Sequence, residues 1–291
     1  MNWMKYRLLY LAISAVAIGA GIFGLLTWGL RIGIDFKGGT ILEYRFEEPV
    51  KEEDLKRFVG ALDLELSSLE KTGENAYTMR ISNLEPERKG IVEPFLERNL
   101  ENNLEELRYE SVGPSIGPDL IKKTLYAMGI SAVLILLWVA IQFRSFKFGV
   151  SAVLAMFHDS MILVGSFALL GHFFGAEIDF LFVTAVLTIL SFSVHDTIVV
   201  YDRIRETRKK VGGSMTEMAN MAVSQTMVRS LNNSFTIIFM LVALLLLGGE
   251  TIKWFAAALL IGTIAGTYSS PFVAVPILVT WDELQKKIKR S

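Results

Sequence analysis

The chain has 291 residues, of which 52% are apolar or aromatic and only 20% are charged, and its mean hydropathy is +0.43. This balance excludes a disordered chain, a fibrous protein and a typical cytosolic enzyme. The formal net charge of −1 provides no basic excess for binding nucleic acid. Because the sequence has no cysteine, disulfides, thiol catalysis and cysteine-ligated metal sites are also excluded.

The apolar residues are concentrated in six blocks of about 20 residues, the length that crosses the hydrocarbon core of a bilayer. These blocks are Leu8–Leu30, Thr124–Gln142, Gly149–Leu170, Phe180–Tyr201, Val228–Gly248 and Ile252–Trp281. The sequence therefore predicts an α-helical polytopic membrane protein with six transmembrane helices, the first serving as a signal anchor. The sixth block is long for one span, which predicts a kink at Pro271 or Pro276.

Lys and Arg residues predict the orientation, because they are enriched in the cytoplasmic loops of membrane proteins. Thirteen of them lie near the two termini and in the loops after the second and fourth blocks, whereas the loops 171–179 and 249–251 have none. Both termini are therefore expected in the cytoplasm. The segment Arg31–Lys123, with 14 basic and 20 acidic residues, is expected outside, on the periplasmic side in a bacterium.

The outside segment alternates between strand and helix patterns. The predicted strands and helices, in chain order, are Thr40–Phe46, Lys51–Asp63 (helix), Leu64–Leu69, Ala76–Ser82, Pro86–Leu104 (helix) and Leu107–Val112. Residues 72–75 predict a hairpin turn. The order βαββαβ predicts one ferredoxin-like α+β domain. We expect residues 1–31 to form the N-terminus and first helix, 32–121 the periplasmic domain, and 122–291 the remaining helices and cytoplasmic tail.

Two Gly-rich joints, Gly33–Thr40 and Val112–Asp119, flank this domain. They fit either simple breaks between helix and strand or hinges between the domain and the membrane. The candidate hinge residues are Gly38, Gly39, Gly113, Pro114 and Gly117.

Charge is costly inside a membrane, so the ionisable residues within the predicted spans are functional candidates, and five of them stand out; Lys253 lies at the edge of the sixth span. His158 and Asp159 lie near the middle of the third span, His195 and Asp196 late in the fourth, and Arg229 early in the fifth. Packing histidines, a structural carboxylate and an interfacial arginine remain alternatives for them. Asp196 is the strongest candidate for a proton-carrying group, because it has a His neighbour and a plausible basic partner in Arg229.

A polar stripe accompanies Asp196 on the fourth span. Its members share one helical face because their spacing is 4-3-4; they are Thr184, Thr188, Ser191 and His195. After this span, Ser214-x-x-Glu217 predicts a capping box that opens a Met-rich amphipathic segment. We expect this segment to be an interfacial helix, with a docking face for a partner as the alternative.

Several motifs together resemble the SecF group of the paired SecD/SecF protein-export membrane subunits. They are GIDFKGGT at Gly33–Thr40, VGPSIG at Val112–Gly117, the pair His158-Asp159, SVHDTIVVYDRIRE at Ser193–Glu206, and GTYSS at Gly266–Ser270. The motifs occur in the order and spacing of the family over nearly the whole chain. One departure is Ser191-Phe-Ser-Val-His195, where the family usually has Gly-Tyr-Ser-x-Asn.

The resemblance implies half of a transporter of the RND superfamily. It implies pairing with SecD, association with the SecY/SecE/SecG channel, and use of the proton motive force to promote late, ATP-independent steps in the export of unfolded polypeptide. It also implies that Asp196 and Arg229 belong to the proton path. His195, Asp159 and His158 are further candidates for the relay because they are ionisable residues inside the spans. Protons are the expected coupling ion, and no metal or other cofactor is expected.

Two other function classes are less compatible with the sequence. A proton-driven RND-type exporter of small molecules is the alternative, and it would need a substrate pocket in the outside domain. An intramembrane hydrolase is disfavoured because nothing supplies a nucleophile with an ordered base. No enzymatic activity is therefore expected.

Overall fold

The computed structural model describes residues 1–82, 84, 88–113 and 116–290, and the chain forms two compact units. The helical unit comprises Met1–Arg31 and Leu125–Ser291, and the sheet unit comprises Ile32–Thr124. In chain order the elements are a 3-10 turn (Trp3–Tyr6), α1 (Arg7–Thr27), α2 (Ile34–Lys37), β1 (Gly39–Phe46), α3 (Glu52–Ala61), β2 (Leu66–Lys71), β3 (Ala76–Ile81), α4 (Lys89–Leu100), β4 (Leu104–Val112), α5 (Ile116–Gln142), α6 (Phe146–Phe174), α7 (Phe180–Lys210), α8 (Met215–Leu247), α9 (Glu250–Ser269), a π-helical turn (Ser270–Ala274) and α10 (Val275–Arg290).

Six helical segments in the described part of the chain are long and apolar enough to cross a membrane, which confirms the predicted number. The sixth segment, Ile252–Ile288, runs through α9, the π-helical turn and α10. The predicted irregularity therefore takes the form of a π turn around Pro271. Proline favours this geometry because it has no N–H for the helical hydrogen-bond ladder.

Close helix contacts in the helical unit depend on glycine. A Cβ atom on Gly165 of α6 would lie 2.5 Å from Cα of Gly21 on α1, so neither position accommodates a side chain. On α9, a Cβ atom on Gly262 would lie 2.3 Å from the Ile189 side chain of α7. Small residues let membrane helices approach closely, where packing rather than the hydrophobic effect holds them together.

The segment after the fourth span begins with the predicted capping box. The Ser214 hydroxyl accepts from the backbone N–H of Glu217, and the Glu217 carboxylate accepts from the backbone N–H of Ser214. The prediction of an interfacial helix is wrong, because α8 continues without a break from Met215 to Leu247. The Met-rich face packs inside the bundle, where Met215 and Met218 are buried.

The sheet unit has four antiparallel strands in the order β2-β3-β1-β4. This is the strand order of a ferredoxin-like fold, and it confirms the predicted βαββαβ arrangement. The hairpin between β2 and β3 closes where Thr72 N–H donates to the Ala76 carbonyl at 2.9 Å. The helices α3 and α4 supply the apolar core of this unit with Leu55 and Leu96, which are fully buried against strand residues such as Tyr44.

Candidate functional site

Two buried aspartates mark the centre of the helical unit. Asp159 on α6 has no exposed surface, and Asp196 on α7 is 6% exposed. A carboxylate inside a membrane protein needs hydrogen-bond donors to offset its lost hydration. The donors therefore define the site.

Asp159 is held by donors from its own helix and two others. Its Oδ2 atom accepts from the hydroxyl of Ser193 on α7 at 2.6 Å and from the hydroxyl of Ser269 on α9 at 2.7 Å. Its Oδ1 atom accepts from Nδ1 of His158 at 2.9 Å. The carboxylate thus joins α6, α7 and α9. The other ring nitrogen of His158, Nε2, is buried and has no hydrogen-bond partner among the residues that the structure describes.

Asp196 has a sparser environment. Its Oδ2 atom accepts from the hydroxyl of Ser230 on α8 at 2.6 Å, and the hydroxyl of Ser270 lies beside it. Ser269 and Ser270 are consecutive residues, where α9 passes into the π turn. One of the two hydroxyls therefore donates to Asp159, while the next lies beside Asp196 and donates to the Gly266 carbonyl at 3.1 Å.

Further hydroxyl groups fill the space around the two carboxylates. Thr197 Oγ1 lies 3.0 Å from Ser270 Oγ and donates to the Ser193 carbonyl at 2.9 Å. One turn further along α8 from Ser230, Ser234 Oγ lies 2.6 Å from Thr267 Oγ1 of α9. Hydroxyl groups can both donate and accept, so this belt can pass protons or reorient its bonds without leaving a buried atom unpaired.

The predicted polar stripe of α7 does form one face, but that face points out of the helical unit. Thr184, Thr188, Ser191 and His195 are all exposed. His195 lines an open groove of about 400 Å³ together with α5 residues such as Ser131. Asp196 and His195 are adjacent in sequence but lie about 100° apart around the helix. The carboxylate consequently faces the interior while the imidazole faces outward.

Arg229 does not contact Asp196 in this structure. It is exposed and lines a cavity of about 570 Å³ with Asp202 and Glu206, near the basic end of α7. Among the residues that the structure describes, its guanidinium forms no ion pair. Ser230, the next residue, occupies the place beside Asp196 that the sequence suggested for Arg229. Consecutive helical side chains point in different directions, so only one of them can face Asp196.

The predicted joints lie at the edges of the sheet unit. Gly38 and Gly39 adopt φ angles of 77° and 125°, which side chains other than glycine rarely adopt. Gly113 follows β4, and Gly117 lies in the first turn of α5. Pro114 lies outside the described residues.

Sequence reasoning missed the serines that bind the two carboxylates, namely Ser193, Ser230, Ser269 and Ser270. A signal for them exists: Thr263, Thr267 and Ser270 repeat at helical spacing, beside glycines that allow close packing. That pattern places the hydroxyls on a helix contact face but does not say which carboxylate they meet.

Comparison with known protein families matches two parts of the chain. Residues 92–284 match the C-terminal model of the protein export membrane protein SecD/SecF, and residues 23–50 match the SecD/SecF GG motif. The SecF translocase subunit of Thermobaculum terrenum is 41% identical over 96% of this chain and 93% of the relative. The SecF subunit of Anaerolinea thermophila is 35% identical, over 97% and 94% respectively.

Solved structures agree in fold. The crystal structure of SecDF, a translocon-associated membrane protein from Thermus thermophilus, matches with a TM-score of 0.83 at 33% identity, over 97% of this chain. SecDF in its super-membrane-facing form matches with a TM-score of 0.70 at 31% identity. The chain spans about two fifths of each of those solved chains. From the family models and the near full-length relatives, we conclude that the chain belongs to the SecD/SecF family of protein export membrane proteins.

Proposed function

We propose that this chain is an accessory subunit of the Sec protein translocase. It pairs with a SecD-type subunit and uses the proton motive force to promote late, ATP-independent steps of polypeptide export. The support is its similarity to SecF translocase subunits over nearly full length and to about two fifths of the solved SecDF chains. These relatives do not favour the alternative of a small-molecule exporter.

Pairing with a second membrane subunit is supported by the outward polar face of α7. The hydroxyls of Thr184 and Thr188 donate hydrogen bonds to the backbone carbonyls of Phe180 and Thr184, respectively. The imidazole of His195, in contrast, is exposed on a membrane-spanning helix. Polar side chains within membrane helices face protein or water rather than lipid. A partner helix beside α7 and α5 satisfies this requirement, and a SecD-type subunit is the partner that the family suggests.

The proton-carrying group in this proposal is Asp196. The observation that carries the assignment is the contrast between the two buried carboxylates. Asp159 is fixed by three donors, whereas Asp196 has a single short bond to Ser230 and is followed within one turn of α7 by Ile198 and Val199, which line the open cavity near the basic end of that helix. Water in that cavity gives Asp196 a route for proton exchange. Asp159 and His158 then position α6, α7 and α9 around it and form a second, more enclosed part of the relay.

Arg229 acts as the movable cation in this mechanism. A guanidinium stays charged at any physiological pH, so its approach stabilises an ionised carboxylate and its withdrawal favours protonation. Arg229 and Asp196 are apart in this structure, which corresponds to the proton-accepting stage. Relative motion of α7 and α8 then couples proton transfer to a conformational change.

The remaining parts of the proposal concern placement. Both termini lie in the cytoplasm and the sheet unit lies on the outer side, where it handles unfolded polypeptide leaving the SecY/SecE/SecG channel. The glycines at positions 38, 39, 113 and 117 let this unit move. The coupling ion is the proton, and neither nucleic acid nor a cofactor takes part.

The test is export into inverted membrane vesicles with and without a proton gradient. Asp196→Asn is expected to abolish the gradient-dependent stimulation while the variant still copurifies with its SecD-type partner. Asp202→Asn, which removes a carboxylate of the same helix that lines this cavity, is the matched control and should retain the stimulation. Arg229→Met should be more impaired than Arg229→Lys. A full response from Asp196→Asn would overturn the mechanism and make Asp159 the candidate.

A further inference from the structure

A second cavity lies at the basic end of the helical unit, separate from the one that Arg229 lines. It measures about 610 Å³ and is enclosed by the loop between α5 and α6, the end of α7, and α10. Four basic residues line it, whereas none of its described lining residues is acidic; they are Arg144, Lys147, Arg205 and Arg208. Aromatic side chains, including Phe146 and Trp281, complete the wall.

Two of these cations are already neutralised and two are not. Lys147 is ion-paired with Asp282, and Arg205 with Asp202. The side chains of Arg144 and Arg208 are exposed and make no hydrogen bond or ion pair with any residue that the structure describes. The cavity therefore carries two uncompensated positive charges.

The backbone at Arg144 is also unusual. Its φ angle is +49°, in the left-handed region that favours glycine. In this conformation the backbone of an arginine is strained, whereas that of a glycine would not be. The guanidinium at this position offsets the strain if it binds an anion.

An apolar groove adjoins the basic cavity. It measures about 490 Å³, runs along α10 and shares Trp281 and Gln285 with the cavity. Its other walls are almost entirely apolar, and two of them, Leu11 of α1 and Ile277 of α10, lie inside the first and sixth predicted spans. A small inorganic anion would occupy only the cavity. A molecule with an anionic head and a hydrocarbon tail would occupy both.

We propose that this composite site binds an anionic phospholipid, with its phosphate between Arg144 and Arg208 and an acyl chain along Leu11 and Ile277, on the membrane side of Trp281. Basic cavities between membrane helices are suited to anionic headgroups, and a Trp between polar and apolar parts suits the membrane interface. The site lies apart from the two aspartates. Lipid binding here fastens the α5–α6 loop to α7 and α10, and it goes beyond the export function proposed above.

The test uses the full chain, co-expressed with its SecD-type partner, delipidated in detergent and titrated in native mass spectrometry. Phosphatidylglycerol and phosphatidylcholine with identical acyl chains are compared. The expected result is preferential binding of phosphatidylglycerol. Arg144→Gln combined with Arg208→Gln should lower its affinity by about 25-fold, since each cation near an anionic headgroup contributes about fivefold. Arg144→Lys with Arg208→Lys should largely restore it.

The matched control is Lys209→Gln with Lys210→Gln, which removes the same charge beside the cavity but outside its wall. This control should bind phosphatidylglycerol like the wild type, and an equal loss in both double variants would overturn the proposal. Equal binding of the two lipids would overturn it as well. Leu11→Ala with Ile277→Ala should weaken lipid binding. If that variant binds normally and inorganic phosphate displaces the lipid, the site takes a free anion and the phospholipid assignment fails.

Discussion

Replacing Asp159 by Asn tests whether this carboxylate holds three helices together. In the wild type, its oxygens accept from His158, Ser193 and Ser269 at 2.6–2.9 Å. The Asn side chain keeps one acceptor, which can serve His158. Its amide group then faces the two serine hydroxyls, which must turn round and accept.

The magnitude follows from the number of charge-assisted bonds lost. A hydrogen bond to a charged group contributes about 1.5–3 kcal/mol, and one between neutral groups about 0.5–1.5 kcal/mol. Three bonds that each weaken by about 1 kcal/mol reduce the free energy of unfolding by about 3 kcal/mol. At about 2–4 °C per kcal/mol for a unit of this size, the melting temperature falls by about 6–12 °C.

The assay is thermal unfolding of the purified chain in detergent, followed by loss of the monodisperse species. Asp202→Asn is the control, because its partly exposed ion pair with Arg205 contributes only about 0–1 kcal/mol. Ser193→Ala and Ser269→Ala should each lower the melting temperature less than Asp159→Asn. An Asp159→Asn variant with the same melting temperature as the wild type would refute the reasoning, because the charge of the Asp159 carboxylate would then contribute nothing to stability.

Three further predictions concern other parts of the molecule. Gly165→Val should push α6 away from Gly21 on α1 and lower the melting temperature, at a cost of about 1–3 kcal/mol, whereas Gly19→Val meets open space and should not; equal effects would contradict the close contact. In the sheet unit, burial and the neighbouring Glu106 carboxyl raise the pKa of Glu93. A raised folded-state pKa means that stability is lost as the pH rises above the unfolded value of about 4.3, so Glu93→Gln should protect the unit against hydrogen exchange at pH 7 but not at pH 4. Unchanged protection at pH 7 would count against this. Alanine at positions 38 and 39 together should reduce gradient-dependent export while leaving the melting temperature of the helical unit unchanged, and normal export would argue against a hinge there.

The sequence was informative wherever a single element carries its own pattern. Six apolar blocks predict six spans because span length is set by the bilayer, and alternation with turn residues predicts the four strands. The capping box at Ser214 and Glu217 was equally readable because both partners lie within one turn. The Met-rich face after it was misassigned because an amphipathic face looks the same whether lipid headgroups or neighbouring helices cover it.

The site could be predicted only in part for a related reason. Asp159 and Asp196 stand out as carboxylates in apolar segments. Their donors come from other helices, and the rotation of each helix about its axis decides which residue faces the carboxylate. Arg229 and Ser230 point about 100° apart around α8, and the sequence alone does not say which of the two directions faces Asp196. The charge of Arg229 suggested it as the partner of Asp196, whereas the packing of α8 places Ser230 there.

The π turn after α9 makes Ser269 and Ser270 a mechanical link between the two carboxylates. A π turn contains one more residue than an α-helix allows, and winding it into regular α-helix rotates one flank against the other by about 100°. The two hydroxyls belong to neighbouring residues, so such a rotation cannot break the contact at one aspartate without displacing the contact at the other. In the proposed mechanism, a change of protonation at either carboxylate would pass through this turn to α10, whose middle is tied to Arg7 and Lys147 by ion pairs of Glu283 and Asp282.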